Sequence, residues 1–203
     1  MKLLFLILAS ILISGCVVQS IGPYGTKDNL AEVPLQIIGK WKAIQLLGDD
    51  VSDKSLSNWE FLKDGVTSFD SSNTKCTLVS QYFKINNELF CSIAANNHDN
   101  INGLFQLNTF PVVTCHKVIY TKDDLIFIPL NFEKIKKLIA NKELNNFVRS
   151  GCDGNLILFT EPPETWSTIL RKYSNDNELF DTKLQCKFTK VETRVETPVK
   201  TND

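Results

Sequence analysis

Gly39-Lys40-Trp41-Lys42-Ala43-Ile44-Gln45-Leu46 is the stretch that decides the fold of this 203-residue chain. Apolar and polar residues alternate along it, which is typical of a strand with one buried face. Gly48-Asp49-Asp50 follows as a turn and ends the strand. The stretch therefore predicts the first strand of a folded domain that begins near Leu35.

Strand signals and tight turns follow one another after this first strand. The turns are Asp64-Gly65, Asn86-Asn87 and Lys122-Asp123-Asp124, and the polar segment from Ala95 to Asn102 reads as a loop. The predicted strands are Trp59 to Phe61, Val66 to Phe69, Thr77 to Ile85, Glu88 to Ile93, Phe105 to Phe110, Val112 to Tyr120 and Leu125 to Ile128. Such a succession of hairpins indicates an antiparallel sheet.

Two helices are predicted in the last third of the chain. Asn131 is placed to cap the first, which we expect to run from Phe132 to about Phe147. Thr160 is expected to cap the second, whose Pro162-Pro163 start precedes an apolar face of Trp166, Ile169, Leu170 and Tyr173. Strands are predicted at Leu156 to Phe159 and Lys183 to Val191. The fold class is therefore mainly β with two helices (α+β), built on an antiparallel β-barrel or a strongly curved sheet.

Gly39 and Trp41, placed on the first strand before a series of hairpins, resemble the lipocalin/calycin family. The stretch Leu156 to Pro162 followed by a helix is also similar to the end of bacterial outer-membrane lipocalins. The resemblance implies that Trp41 lies across the closed end of a barrel, under an arginine that is either Arg149 or Arg171. The family's middle motif is absent, and the helix after Asn131 is foreign to a simple barrel. Another β fold containing Gly39 and Trp41 is the alternative.

The N-terminus has the layout of a secretory signal, with Lys2, an apolar run and small residues. Its apolar run is too short for a membrane-spanning helix. Ile13-Ser14-Gly15-Cys16 resembles the lipobox of bacterial lipoproteins, which implies lipid attachment at Cys16 and, since Val17 follows, favours the outer membrane. An ordinary signal peptide is the alternative. We expect a signal peptide at 1–15, a lipid-anchored tether at 16–34, one domain at 35–191 and a disordered tail at 192–203.

Composition and motifs favour a non-catalytic protein of the cell envelope. The net charge is −1 and no basic stripe occurs, so nucleic-acid binding is not expected. His98 lies in a polar loop that we interpret as solvated, and neither a metal site nor a cofactor is predicted. Cys115 and His116 are adjacent on a strand, where neighbouring side chains point to opposite faces, so they cannot form a catalytic dyad. No enzyme motif is found.

Five cysteines follow Cys16, an odd number that allows at most two disulfides. An exported protein permits disulfides, and we expect Cys152 to pair with Cys186 and Cys91 with Cys115. The alternative is that all five are small, buried, reduced residues.

Two functions fit these features. The first is a lipid-anchored lipoprotein whose barrel holds a small apolar ligand, with a lining drawn from Phe61, Phe69, Tyr82, Phe83, Phe90, Phe105 and Phe110. The second is an interaction module that shows its surface to an envelope protein while the same side chains simply fill the core.

Overall fold

The computed structural model describes residues 17–51, 58–71, 74–95, 113–150, 156–176 and 178–191. Its helices are α1 Phe132–Ala140 and α2 Pro163–Tyr173, with short 3-10 turns at Lys27–Asn29 and Thr182–Leu184. Its strands are β1 Val17–Ser20, β2 Leu30–Ala31, β3 Gly39–Leu46, β4 Asp49–Asp50, β5 Asn58–Phe61, β6 Val66–Ser71, β7 Thr74–Ile85, β8 Glu88–Ala95, β9 Val113–Tyr120, β10 Asp124–Pro129, β11 Phe147–Ser150, β12 Leu156–Phe159 and β13 Cys186–Lys190.

Eight of these strands form a closed antiparallel barrel. The strands β3, β5, β6, β7, β8, β9 and β10 pair in chain order, and β13 lies between β10 and β3 and closes the ring. Closure leaves the ring without a free edge, and eight strands enclose an interior wide enough for side chains or one small ligand. The predicted fold class, mainly β with two helices and an antiparallel lipocalin-like barrel, is confirmed.

The predicted tight turns gather at one end of the barrel. Asn86 and Asn87 join β7 to β8 with φ of 51° and 64°, the left-handed conformation that a two-residue hairpin turn requires. Gly65 in the β5–β6 turn has a φ of 83°, and a Cβ there would collide with the Ser80 carbonyl oxygen. These residue choices fix the pairing register of four barrel strands.

Two hydrophobic cores result from the alternation of side chains. The barrel core is enclosed by the eight strands and contains Trp41, Phe61, Tyr82, Cys91 and Phe127. The outer core lies between the outer wall of the barrel and a layer made of α1, α2, β1 and β12, and it contains Phe83, Phe90, Cys115, Ile135 and Trp166. Successive residues of one strand therefore belong to different cores, as Tyr82 and Phe83 do.

The helix starts and ends partly differ from the sequence prediction. The Asn131 side chain caps α1 as expected, because its Oδ1 accepts from the Glu133 and Lys134 backbone N–H groups. The helix, however, ends at Ala140 and not near Phe147, which begins β11. Lys142 has a φ of 61°, and this left-handed residue turns the chain away from the helix axis.

The start of α2 also needs a correction. Pro162 is its N-cap residue, and it provides no side-chain cap. Thr160 does not cap this helix, since its hydroxyl donates to the Asn146 carbonyl oxygen at 3.3 Å. Proline is favoured in the first turn of a helix because the missing N–H would have no partner there, so the sequence signal placed the helix correctly and misplaced only its cap.

The predicted tether over 16–34 is wrong for the residues that the structure describes. Strand β1 pairs in parallel with β12 and antiparallel with β9, and β2 pairs with β7. Tyr24 is fully buried, with its ring 4.6 Å from that of Trp166. Apolar residues spread among Gly22, Pro23 and Gly25 lack periodicity, yet tertiary packing orders them. The folded domain thus includes Val17 to Ala31, which the sequence analysis assigned to the tether.

The predicted disulfides are also wrong, because Cys91, Cys115 and Cys186 are free thiols. Cys91 lies opposite His116 and Cys115 opposite Ser92, so the two cysteines face opposite sides of the sheet. Cys91 belongs to the barrel core and Cys115 to the outer core, and no bond can join them through the strand. Cys186 accepts from the Leu47 N–H at 3.5 Å, while Cys152 lies outside the described residues.

Some predictions fall outside the described residues, namely the strand at Phe105 to Phe110, most of the loop that contains His98, the signal at 1–15, Cys16 and the tail at 192–203. Among the residues that are described, no helix has both the length and the apolar character needed to cross a bilayer.

Candidate binding site in the barrel

One end of the barrel is sealed by Trp41. Its ring is fully buried, and its Nε1 donates to the Ile37 carbonyl oxygen at 2.7 Å. The Lys190 ammonium lies 4.5 Å from the ring centroid and donates to the Gln36 and Ile38 carbonyl oxygens at 2.7 and 2.8 Å. The carbonyl oxygens of three consecutive residues in the turn before β3 thus accept hydrogen bonds from either Trp41 or Lys190. These bonds hold the turn across the barrel end.

Trp41 lies across this end of the barrel two residues after Gly39, and the cation described above its ring is a lysine. Gly39 has a φ of 121°, a conformation that side chains rarely adopt, which explains the glycine two residues before the indole. The cation above the ring comes from Lys190, the last residue of β13. Arg171 is instead an exposed residue of α2 whose carbonyl accepts from Asn86, and the Arg149 side chain is not described.

Tight turns and longer connections lie at opposite ends of the barrel. The β5–β6, β7–β8 and β9–β10 turns are at the end sealed by Trp41, and the Lys190 N–H donates to the Asp123 carbonyl oxygen there. The connections from β3 to β5, from β8 to β9 and from β10 to β13 all lie at the other end. Access to the interior is therefore expected at that other end, which we call the open end.

One side of the barrel interior is aromatic. We call these residues, on β3, β5, β6, β10 and β13, the aromatic wall: Trp41, Trp59, Phe61, Phe69, Phe127 and Phe188. The Trp59 and Phe69 rings stack at 4.3 Å, and the Phe61 and Phe127 rings stack at 5.7 Å. Phe188 meets Phe61 edge-on at 5.7 Å. Stacked and edge-on rings of this kind form a rigid apolar surface with faces and edges suited to another planar apolar group.

The other side of the interior carries polar side chains among apolar ones such as Leu89 and Val118. We call the polar residues, on β6 to β9, the polar wall: Thr67, Ser80, Tyr82, Cys91, Thr114 and His116. Tyr82 lies opposite Cys91, and Cys91 lies opposite His116, so three adjacent strands place these side chains in one row. A Thr114–His116 hydrogen bond of 3.0 Å joins Thr114 Oγ1 to Nε2, and the Thr67 and Ser80 hydroxyls are 3.4 Å apart.

Burial keeps the polar wall neutral. It lowers the pKa of His116 to about 4 and raises the pKa of the Cys91 thiol to about 12. Burial, together with the neighbouring Cys91 thiol, raises the pKa of the Tyr82 phenol. Among the described Asp, Glu, Lys, Arg and His residues, His116 and Glu161 are the two that are buried. Glu161 lies outside the barrel, where it binds the Asn145 and Asn146 N–H groups. The described side chains of the barrel core are thus uncharged at neutral pH.

The aromatic lining proposed from the sequence is divided by the structure. Phe61, Phe69 and Tyr82 face the barrel core, whereas Phe83 and Phe90 face the outer core. Phe105 and Phe110 lie outside the described residues. The sequence analysis missed the polar wall, although the alternation around Tyr82 carried the signal, since Ser80 lies two residues before it on the same face.

Cys115 and His116, adjacent in sequence, do not form a dyad. Cys115 and His116 point into different cores, as the sequence analysis predicted from their adjacency. The described residues contain no group of three or more His, Cys, Asp or Glu side chains that could hold a metal ion.

Two clefts lie on the barrel wall. One, of about 320 Å³, is lined in part by Asn58, Glu60 and Ser68. The other, of about 250 Å³, is a largely apolar groove lined by Ile44, Ile119, Ile126 and Phe188, with Asp124 and Lys187 also on its lining. Ile44 and Ile119 are 45% and 44% exposed, so this groove is an apolar surface open to solvent.

No protein-family model, curated protein or solved structure matches this chain.

Proposed function

We propose that this protein is a lipid-anchored, non-catalytic protein of the bacterial cell envelope whose barrel binds a small, largely apolar molecule. The observation that carries the proposal is an eight-stranded barrel sealed at one end by Trp41 and divided inside into an aromatic and a polar wall. Ligand sites of small molecules are mostly apolar and contain a few placed polar groups, which is the composition of this interior.

The anchor is proposed from the lipobox-like residues Ile13-Ser14-Gly15-Cys16. Val17, the next residue, already lies in the sheet opposite Leu156. A lipid on Cys16 would therefore be joined to the folded domain without a flexible linker. Because two acyl chains give stable attachment where one gives only marginal binding, diacylglyceryl modification would hold the barrel firmly against the bilayer.

Metabolic labelling with an alkyne-tagged palmitate tests the anchor. We expect label in the full chain expressed in a bacterium and none in Cys16→Ala, while Cys186→Ala, the matched control, keeps it. Label retained in Cys16→Ala would contradict lipidation at this residue.

Native mass spectrometry tests ligand binding. The full chain is recovered from the bacterial envelope and released from its micelle in the gas phase under non-reducing conditions. We expect an adduct of the mass of a small organic molecule, and its loss on treatment with denaturant. An adduct-free spectrum, together with no uptake of any apolar compound added to the purified protein, would contradict the proposal.

The groove of Ile44, Ile119 and Ile126 supports a second candidate, an interaction module that binds an envelope protein. Large exposed apolar side chains close together are typical of interaction sites. A photo-crosslinking residue placed at Ile119 should then capture a discrete partner in living cells, and one placed at Val79, an equally exposed residue on the outer wall at β7, should not. Crosslinks of equal intensity at both positions would contradict a partner specific to the groove.

A further inference from the structure

We propose that the barrel ligand carries a neutral hydroxyl group and that Tyr82 and His116 bind this group inside the barrel. The inference rests on the proposed function, since it names the chemistry of the molecule that the barrel holds. It follows from the place, burial and unused hydrogen-bonding capacity of these two side chains.

The strand register brings the two side chains to one level of the barrel. Tyr82 on β7 and His116 on β9 both lie opposite Cys91 on β8. Neighbouring strands are about 4.8 Å apart, so the two backbones are separated by about 10 Å. Both side chains point to the same face of the sheet, into the barrel, on either side of the small Cys91 side chain.

Both side chains have polar atoms without a partner. Tyr82 Oη and His116 Nδ1 are buried, and neither atom has a partner at hydrogen-bonding distance and angle in the described part of the chain, although the Cys91 thiol lies beside the phenol. Tyr82 is 2% exposed and His116 is 9% exposed. Buried polar groups in native proteins nearly always have partners, because each unpaired group costs about 1–3 kcal/mol. The two atoms therefore indicate a binding partner inside the barrel.

A hydroxyl matches both atoms better than other polar groups. The Thr114 hydroxyl donates to the Ile93 carbonyl oxygen at 3.3 Å and therefore accepts from His116 Nε2, which leaves Nδ1 as an acceptor. The Tyr82 phenol can donate or accept. A ligand hydroxyl donates once and accepts at two sites, so it can donate to Nδ1 and accept from the phenol. A hydrocarbon would leave both atoms unpaired.

A charged ligand group does not fit this site. His116 is neutral at pH 7 because burial lowers its pKa to about 4, and the Cys91 and Tyr82 groups next to it are protonated. The cation nearest the sealed end, Lys190, is already bound to two carbonyls and the Trp41 ring. A carboxylate in this interior would lose its hydration without a compensating charge.

Isothermal titration with three probes of one shape tests the inference on the full chain held in nanodiscs, with empty nanodiscs as the blank. The probes are 2-naphthol, naphthalene and 2-naphthoate, which differ only in a hydroxyl, no polar group or a carboxylate. We expect 2-naphthol to bind at least tenfold more tightly than naphthalene, and 2-naphthoate to bind more weakly than both.

Two variants locate the preference. Tyr82→Phe and His116→Leu should each reduce the ratio of 2-naphthol to naphthalene affinity at least threefold, while leaving naphthalene binding within twofold. Tyr24→Phe is the matched control, because Tyr24 Oη is also buried without a partner but belongs to the outer core. Its ratio should equal that of the wild type.

The outcomes separate this inference from the function on which it rests. Equal affinity of wild type for 2-naphthol and naphthalene would overturn the hydroxyl preference and leave an apolar binding barrel in place. An unchanged ratio in both barrel variants would overturn the assignment to Tyr82 and His116. Binding of none of the three probes would count against the proposed function itself. The wild-type comparison decides the first point even where a variant fails to fold.

Discussion

At the scale of single residues, the barrel depends on a few side chains with two tasks each. Trp41 fills the sealed end with its ring and ties the Ile37 carbonyl with its N–H group. Lys190 covers that ring and ties the carbonyls on either side of Ile37. Gly39 supplies the backbone conformation that lets the turn enter β3. The sealed end is thus a set of mutually dependent contacts among residues far apart in sequence.

Lys190→Met should destabilise the protein by about 1–3 kcal/mol, because it removes two hydrogen bonds from a charged donor to carbonyls and a cation–indole contact. Lys42→Met, at an exposed position on β3, should change the free energy of unfolding by less than about 0.5 kcal/mol. Urea unfolding followed by tryptophan fluorescence measures both. Equal stability of the two variants would show that Lys190 does not secure the sealed end.

His116 should make stability depend on pH. Its pKa is about 4 in the folded protein and 6.5 in the unfolded chain, so the unfolded chain binds more protons between these values. The stabilisation is complete above pH 6.5 and falls by about 3 kcal/mol as the pH drops to 4. Unfolding curves at several pH values should show a shallower fall in His116→Gln, since the carboxylates titrate in both proteins. Parallel profiles would contradict a buried neutral histidine.

At the scale of elements, the sequence predicts what local patterns determine. Alternation and turn residues identified β3, the hairpin around Asn86-Asn87 and the hairpin of β9 and β10. The patterns could not place β1, because a short strand among glycine and proline owes its order to pairing with the distant β12. The helix end at Ala140 was missed for a related reason, since Lys142 carries no residue signal for a left-handed conformation.

The same limit applies to the site. Gly39 and Trp41 could be assigned from a short motif, whereas the cation above the indole could not, because only the closure of β13 onto β3 brings Lys190 there. The polar wall required the register of four strands. The disulfide prediction was wrong because the number of cysteines and their positions in the sequence do not tell which face of a strand each cysteine occupies.

Hydrogen exchange should show that β1 is part of the folded domain. We expect the backbone amides of β1 to exchange as slowly as those of β12, with which it pairs, and far more slowly than the amide of Leu35, an exposed turn residue. Exchange of β1 at the rate of an unstructured peptide would restore the interpretation of this segment as a tether.

At the scale of the whole molecule, the barrel and the outer layer share β7, β8 and β9, whose two faces serve two cores. This arrangement explains why Cys91 and Cys115, though near in sequence and on paired strands, remain separate buried thiols. In the absence of reductant, iodoacetamide should alkylate both thiols once the protein is unfolded and neither thiol while it is folded. If alkylation of the unfolded chain required a reductant, the two cysteines would be joined in a disulfide, which would contradict the two-faced sheet.

Nuclear Overhauser contacts between bound 2-naphthol and selectively labelled aromatic rings test the central claim, that the barrel interior is the binding site, most directly. The account predicts contacts from the ligand to Phe61, Phe127 and Tyr82, and none to Phe83 or Phe90 in the outer core. Contacts confined to the outer-wall groove of Ile119 and Ile126 would contradict it, and would favour a surface interaction site in place of an interior one.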